Sequence, residues 1–352
     1  MNAHPRRGLP LRVDPNALAA VALTSLTRAV ICSARAKRSF GGGNAQQILR
    51  TIWPDDSDAA RLVTRAATTP TGSDATALAR LAYALLAALV PMSAAADLIA
   101  RSLQLSFDDT GQINVPGLTL PLANFVAERA PFPLAQGTST ATQIVPHKIG
   151  VIVELTREQT EGSNAEQIVR ALLIENIGPS LDALMLSTTA GSAARPPGLL
   201  NGVAPLAPAA ANKGDALVDD LAALATAVAG VAGNGGIVIV AAPAQAVAVA
   251  LRALRSPYPL LTSASLAAGT VIALALPTLV TALDGPPEIT SSSVATVHEE
   301  TNPQPIATGA GTFASPVRSL MQTDSIGIRL RLQTSWALRS PLGIAWMQSV
   351  IW

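Results

Sequence analysis

"KIGVIVELTREQTEGSN" (residues 148–164) is the stretch that decides the fold, because its pattern changes from strand to helix start within a few residues. Apolar side chains occupy every second position from Ile149 to Leu155, which is the period of a half-buried β-strand. The chain then becomes polar and passes Gly162 and Ser163 before helical spacing begins. The stretch therefore predicts a long strand that leads into a long helix.

The segment after this stretch, residues 165–189, has apolar residues at helical spacing. These residues are Ile168, Leu172, Ile177, Leu181, Leu184 and Met185. At about 1.5 Å per residue such a helix is about 40 Å long, and Pro179 after Gly178 predicts a kink. Further along, residues 205–308 alternate helix and strand patterns, and alternating apolar residues from Ile326 onward predict two more strands near the C-terminus.

The composition is aliphatic rather than charged or aromatic. Of the 352 residues, 49% are hydrophobic, 13% are charged and 3% are aromatic, so the chain can bury a large core of Ala, Val and Leu. Cys32 is the single cysteine, which excludes an intramolecular disulfide framework. Residues 221–251 carry no charge, but "GNGG" (233–236) interrupts them, so we predict helix, turn, buried strand and helix instead of a membrane span.

The positive charge is concentrated near the N-terminus, although the net charge of the whole chain is only +1. Residues 1–101 hold 12 Lys and Arg against 6 Asp and Glu, whereas residues 102–352 hold 12 against 17. This charge predicts contact with nucleic acid or an acidic partner, and the candidate residues are Arg6, Arg7, Arg12, Arg35, Lys37 and Arg38. A solvated, mobile terminus explains the same charges, and both interpretations stay open.

Residues 105–147 differ in composition from the rest of the chain. They are rich in Thr, Pro, Gly and Gln, with short alternating pieces and few large apolar residues. An excursion of this length without a core is usually functional. As a hairpin with arms of about 20 residues, it would reach about 60 Å from its base and would not be stable alone. We therefore expect it to lie on another surface.

Residues typical of catalysis or metal binding do not form a recognisable group in the sequence. His4, His147 and His298 are far apart, and none has a second ligand at metal spacing. Glu128, Glu158 and Glu161 lack an accompanying nucleophile, metal motif or cofactor motif, so we interpret them as ion-pair or capping residues. We predict no catalytic residue, no cofactor and no metal, and hence no enzyme.

Three stretches together resemble the major capsid proteins of tailed bacteriophages, in the order in which that family has them. "FVAERAPFPLAQGTSTATQIVPHKIGVIVELTREQTEGS" (125–163) is similar to the family's extended arm and the strand before its long spine helix. The matching residues there are Val126, Ala127, Glu128, Pro131, Lys148, Leu155, Thr156, Arg157, Glu158 and Ser163. The segment that closes the helix matches through Asp182, Pro197, Gly198, Leu199 and Leu200, and the terminal strands match through Gln322, Asp324, Ile328, Arg329 and Trp336.

The resemblance covers residues 105–352 and implies an α+β fold of the Hong Kong 97 type (HK97-like). It implies an extension loop (E-loop) at 105–147, a peripheral domain with the spine helix at 148–204 and 309–352, and an axial domain at 205–308. Residues 1–104 would then be a helical N-terminal arm or a scaffold-like extension, which we expect to be retained. Because residues 105–147 contain no lysine, we predict none of the lysine–asparagine cross-links that some members form.

The resemblance also implies a function. A major capsid protein self-assembles into pentamers and hexamers that form the icosahedral phage head and enclose double-stranded DNA. The virion is then the location, after assembly in the host cytoplasm, and the partners are further copies, DNA on the inner face, and scaffold, portal and decoration proteins, with no membrane. The candidate inter-subunit contacts are Phe125, Glu128, Arg129, Phe132, Lys148, Arg157, Glu158 and Glu161.

Two alternatives stay open at this point. An encapsulin-like compartment shell protein would have the same fold, although the 104 residues before the resemblance begins argue against it. A ligand-binding or enzymatic α/β domain in residues 205–308 would need a pocket with convergent polar groups. This stretch, rich in Ala and Val, supplies few of them.

Overall fold

The computed structural model describes most of the chain. The described residues are 15–38, 43–64, 86, 89–107, 111–115, 117, 125–126, 128, 142–156, 158–159, 162, 164–209, 216–234, 236–252, 257–283, 288–298, 300 and 317–352.

A five-stranded sheet is organised around the strand β12 (Ser325–Leu338). One edge of β12 pairs antiparallel with β4 (His147–Thr156) over ten residues. The other edge pairs antiparallel with β9 (Glu288–Ser292) and then with β8 (Leu279–Leu283). The strand β1 (Leu103–Ser106) runs parallel to β8 at the far side of the sheet.

The strand β4 confirms the alternation predicted from the sequence. Leu155 is buried, and Ile149, Val151 and Val153 are half-buried against the helices that cover this face of the sheet. The intervening residues 148, 150 and 152 are exposed, and residue 154 is half-buried. The period of two therefore separates a core-facing side of β4 from a solvent-facing side.

The strands β10 (Thr296–His298) and β11 (Val317–Ser319) pair antiparallel as a two-stranded sheet. A further sheet has four strands in the order β13–β7–β5–β6. They are β5 (Ile237–Ala241), β6 (Leu260–Thr262), β7 (Val271–Ala275) and β13 (Ile344–Met347). Helices α6 (Ala216–Ala232) and α7 (Pro243–Arg252) cover one face, and residues of the first sheet's core cover the other. Every residue of β5 and β7 is buried, which is the pattern of strands covered on both faces. The predicted order of helix, turn, strand and helix is confirmed.

The long helix α5 (Ala165–Met185) follows the stretch that decides the fold, as predicted. It ends four residues before the predicted end, because the Thr-rich and Gly-containing sequence after Leu186 disfavours further helix. Pro179 lies inside the helix. Gly178 faces a 3-10 turn (Val90–Met92), and a Cβ atom at Gly178 would lie only 3.3 Å from the Met92 carbonyl oxygen. Glycine therefore allows this turn to pack closely on the helix.

Residues 15–38 form a helix, α1 (Pro15–Arg38), that is packed into the protein. Its buried residues, which include Leu26 and Val30, share a core cluster with Val169 of α5 and Ile328 of β12. Two shorter helices, α2 (Ala45–Ile52) and α3 (Ser57–Thr64), pack beside it. The interpretation of the basic N-terminus as solvated and mobile is therefore wrong for residues 20–37, because their apolar face covers the sheet.

Each of the two large sheets takes strands from both the peripheral and the axial domain predicted from the resemblance. The strands β8 and β9 lie in residues 205–308 yet pair with β12, and β13 lies in residues 309–352 yet pairs with β7. The predicted domain boundaries stay a prediction.

We expect the substitution Leu26→Ala to lower the free energy of unfolding by about 2–5 kcal/mol, because it leaves a cavity between α1 and the sheet. Leu26 is 5% exposed, whereas Val21 on the same helix is 56% exposed. Urea denaturation of Leu26→Ala beside the control Val21→Ala measures the difference. Equal stabilities for the two variants would mean that α1 does not contribute to the core.

Candidate subunit-contact surface

The predicted extension loop leaves the protein as two paired strands. The strand β2 (Ile113–Val115) pairs antiparallel with β3 (Thr142–Ile144). Phe107, Val115 and Ile144 are buried against residues of β8, so the paired strands β2 and β3 are anchored on the five-stranded sheet. The chain between Val115 and Thr142 comprises 26 residues that start and end at these paired strands. The out-and-back form predicted for the loop stays a prediction, because most of these 26 residues lie outside the described ranges.

Within this hairpin, the described contact candidates are exposed. Phe125 has its whole side chain in solvent, and Glu128 is exposed as well. Arg129 and Phe132 lie outside the described residues. A fully exposed phenylalanine leaves a large apolar area in water, and covering it on a partner would be favourable. Phe125 is therefore the candidate in this hairpin that the structure supports best.

The candidates around β4 are also at the surface. Lys148 lies near the start of β4 and is exposed, and Glu158 lies two residues after its end and is exposed. Arg157 and Glu161 lie outside the described residues. The strand therefore carries a positive charge near one end and negative charge near the other.

The basic N-terminal candidates are only partly described. Arg6, Arg7 and Arg12 lie outside the described residues, as does the side chain of Arg38. Arg35 is half-buried and Lys37 is exposed near the end of α1. Which partner these charges contact stays a prediction.

Arg28, a further basic residue of this segment, forms ion pairs and a ring contact within the protein. Its guanidinium lies 3.0 Å from the Asp56 carboxylate and 3.5 Å from that of Glu166, and it stacks over the Trp53 ring. Asp56 also accepts a hydrogen bond from the backbone N–H of Ala59 and so caps α3. Arg28 therefore ties α1 and the turn before α3 to the first turn of α5.

A buried carboxylate, Asp182, connects three parts of the chain. It accepts hydrogen bonds from the hydroxyl groups of Ser93 (2.5 Å) and Ser263 (2.6 Å). It also accepts from the backbone N–H groups of Ala94 and Ala95, at the start of the helix α4 (Ala94–Arg101). A charge at a helix N-terminus with four donors is well compensated. Asp182 thus joins α5 to α4 and to the loop after β6.

Sequence reasoning noted Asp182 as a motif position but missed its role. The signal available was an isolated acid among apolar neighbours on α5, between Leu181 and Leu184. Its partners Ser93 and Ser263 are 89 and 81 residues away in the sequence, so only the tertiary structure could identify them.

The segment that closes α5 is held by two tryptophans of the C-terminal strands. The indole N–H of Trp336 donates to the Pro197 carbonyl at 2.9 Å, and that of Trp346 donates to the Val203 carbonyl at 2.8 Å. A Cβ atom at Gly198 would come within 2.1 Å of the Ser187 carbonyl oxygen. This position therefore requires glycine, which explains the Pro197–Gly198 motif in physical terms.

The described residues offer little that could support chemistry. Within these ranges, no group of three or more His, Cys, Asp or Glu side chains could hold a metal ion. His147 lies at the start of β4, where its Nδ1 is 3.3 Å from the Ser335 hydroxyl. Cys32 is buried in α1, and burial raises the pKa of its thiol to about 11. Among the described helices, none has the length and hydropathy needed to cross a membrane.

No protein-family model and no curated protein matches this sequence. Solved structures from three mycobacteriophages are similar to it. For Mycobacterium phage Adephagia the identity is 14%, the match covers 81% of this chain and 99% of the phage chain, and the TM-score is 0.51. For Mycobacterium phage Cain the identity is 15%, the match covers 83% of this chain and 97% of the phage chain, and the TM-score is 0.50. For Mycobacterium phage Bobi the identity is 16%, the match covers 81% of this chain and 96% of the phage chain, and the TM-score is 0.50.

These similarities identify the class of fold. The chain has the α+β fold of the Hong Kong 97 type, as expected from the resemblance. At 14–16% identity the similarity establishes the fold alone, so the function of this chain is argued below from its own residues.

We expect Asp182→Ala to lower the free energy of unfolding by about 3 kcal/mol, because it leaves two hydroxyl groups and two backbone N–H groups buried without their acceptor. Glu175→Ala is the matched control, since Glu175 is exposed on the same helix. Thermal unfolding followed by circular dichroism compares the two variants. If Asp182→Ala is as stable as the control, Asp182 does not hold the three segments together.

Proposed function

We propose that this chain is the major capsid protein of a tailed bacteriophage, which self-assembles into pentamers and hexamers. These would form the icosahedral head that encloses double-stranded DNA, with the virion as its location after assembly in the host cytoplasm. The observation that carries the proposal is the fold shared with phage structures over 96–99% of their length. The full exposure of the Phe125 side chain, in the segment between β2 and β3, supports it independently.

The physical basis of such a shell is multivalency. A hairpin that is anchored at its base and leaves Phe125 in water can cover a neighbouring copy, and each copy both gives and receives this contact. Many weak contacts then hold each subunit at once. A net charge of only +1 limits the repulsion between closely packed copies.

The packing of the N-terminal helix α1 indicates whether residues 1–104 are retained or removed. The apolar residues of α1 cover Leu155, Ile326 and Ile328, so removing this helix would expose a core face to water. We therefore propose that the chain from α1 onward is retained in the assembled particle. Neither the encapsulin-like alternative nor an enzymatic site in 205–308 is favoured by a particular contact among the described residues.

Electron microscopy of the purified, overexpressed chain tests the proposal. We expect closed shells or rings of five and six subunits, whereas monomers or small discrete oligomers at high concentration would contradict it. The variant Phe125→Ser should form fewer shells while its unfolding midpoint stays unchanged, because this side chain makes no buried contact within the subunit. Met321→Ser is the control, since Met321 is 75% exposed and lies outside the hairpin.

We also propose that the basic N-terminus faces packaged DNA, on the strength of its excess of positive charge. Deleting residues 1–38 would remove α1 and damage the core, so the test should instead change Arg6, Arg7 and Arg12 to Gln. Particles of this variant should lose DNA at lower salt than wild-type particles, as measured by the ratio of absorbance at 260 and 280 nm.

The control for the DNA experiment replaces Arg50, Arg195 and Arg252 by Gln, because these exposed arginines give the same change in net charge. Equal DNA retention by the two triple variants would argue against a specific role of the N-terminus. Scaffold, portal and decoration proteins are further partners of the proposed function, and co-purification from infected cells would test them.

A further inference from the structure

The strand β4 has one edge without a described partner. It pairs with β12 along its whole length of ten residues, and no other described strand pairs with it. The remaining strands at the sheet edges, β1, β6, β9 and β13, are three to five residues long. The backbone N–H of Thr156, at the end of β4, already donates to Gln159 Oε1 at 2.9 Å. The edge before Thr156 can offer backbone N–H and C=O groups to a strand that fits beside it. The side chains of β4 indicate which strand that is.

The outward-facing residues of β4 are complementary to the same residues of a second copy of the chain. They are Lys148, Gly150, Ile152 and Glu154. If a second copy of β4 runs antiparallel beside the first and both are centred on Val151, Lys148 of each copy lies opposite Glu154 of the other. Ile152, which is 59% exposed, lies opposite Gly150, where no side chain competes for the space. Two-fold symmetry makes each of these contacts occur twice.

The core-facing residues of β4 fit the same register. Val151 would lie opposite Val151 of the second copy, and Ile149 opposite Val153, so the apolar layer would continue across the contact. Pairs of β-branched residues across strands are favourable, as are opposite charges. The residues on both faces of β4 therefore favour the same alignment.

Other alignments lose these contacts. A shift by two residues places Lys148 opposite Thr156 or opposite Ile152, so neither lysine meets a carboxylate. A shift by one residue would place the core-facing side chains of one copy on the same face as the solvent-facing side chains of the other. The apolar side chains of one copy would then be exposed to water. A lysine on an open edge normally discourages pairing, and only a strand with an acid at the opposite position compensates for it. The second copy supplies that acid.

We propose that the β4 edges of two copies pair antiparallel around Val151 and join their two five-stranded sheets into one continuous sheet across a two-fold axis. The partner is a second copy of this chain. The inference rests on the proposed self-assembly and adds a contact that the proposed function leaves unspecified.

Engineered cysteines test the alignment in the full-length chain. Opposite residues in antiparallel strands have Cα atoms about 4.5–5.5 Å apart, which is within the range of a disulfide. Lys148→Cys with Glu154→Cys should therefore give disulfide-linked dimers under mild oxidation. Lys148→Cys with Thr156→Cys, which corresponds to the shifted alignment, is the matched control and should stay monomeric on a non-reducing gel. Cys32 does not compete, because it is buried and its pKa is raised to about 11.

Charge reversal gives a second test that needs no cysteine. Lys148→Glu replaces both opposite-charge pairs with like-charge pairs and should weaken dimerisation about tenfold in sedimentation equilibrium. Adding Glu154→Lys should restore dimerisation to within about threefold of wild type. Glu154 also accepts from Arg318 at 3.2 Å, so circular dichroism should confirm that the double variant is folded.

The outcomes separate this inference from the proposed function. Dimers from the in-register pair alone, with rescue by the charge swap, support the contact. If shells form but both cysteine pairs cross-link equally or neither does, the inference is overturned and the proposed function stands. Cross-linked dimers without shells support the contact and count against the capsid function. A folded protein that gives neither dimers nor shells overturns both.

Discussion

The antiparallel pairing of β12 with β4 is the constraint on which the rest of the structure depends. These strands meet over ten residues, and β12 also carries β8 and β9 on its other edge. One face of the pair provides the apolar surface on which α1 and α5 pack. Without this pairing, both helices would lose a large part of the surface on which they bury their apolar side chains. The strand order also leaves the outer edge of β4 without a described partner.

Polar contacts in the interior connect the elements that this sheet organises. Asp182 ties α5 to α4 and to the loop after β6, while Trp336 and Trp346 hold the segment that follows α5. Each of these groups is buried and has its hydrogen-bond partners, which makes the contacts directional as well as stabilising. Apolar packing alone would tolerate small shifts between the two sheets, whereas these bonds specify one arrangement. The two sheets can then present the hairpin and the β4 edge in a defined geometry.

Much of the fold could be predicted from local patterns. The alternation in β4, the helical spacing of α5 and the order α6–β5–α7 all follow from side-chain periodicity, which is a property of neighbouring residues. The helical character of the N-terminal segment was predicted as well, but not that α1 belongs to the core. Its abundant alanine and its several arginines look the same in a solvated helix, and only Leu155, Ile326 and Ile328 of distant strands distinguish the two cases.

Some features of the candidate subunit-contact surface could likewise be predicted from the sequence, and others required the tertiary structure. The sequence by itself determined the strand, the spine helix, the composition of the extended hairpin and the positions of its exposed candidates, because these depend on short-range order and residue type. Only the tertiary structure decided which charged residues form contacts inside the protein, as for Arg28 and Asp182. It also decided which edge of β4 has no partner among the described strands. The physical reason is that ion pairs, buried hydrogen bonds and strand order join residues far apart in the chain, and their partners are chosen by packing.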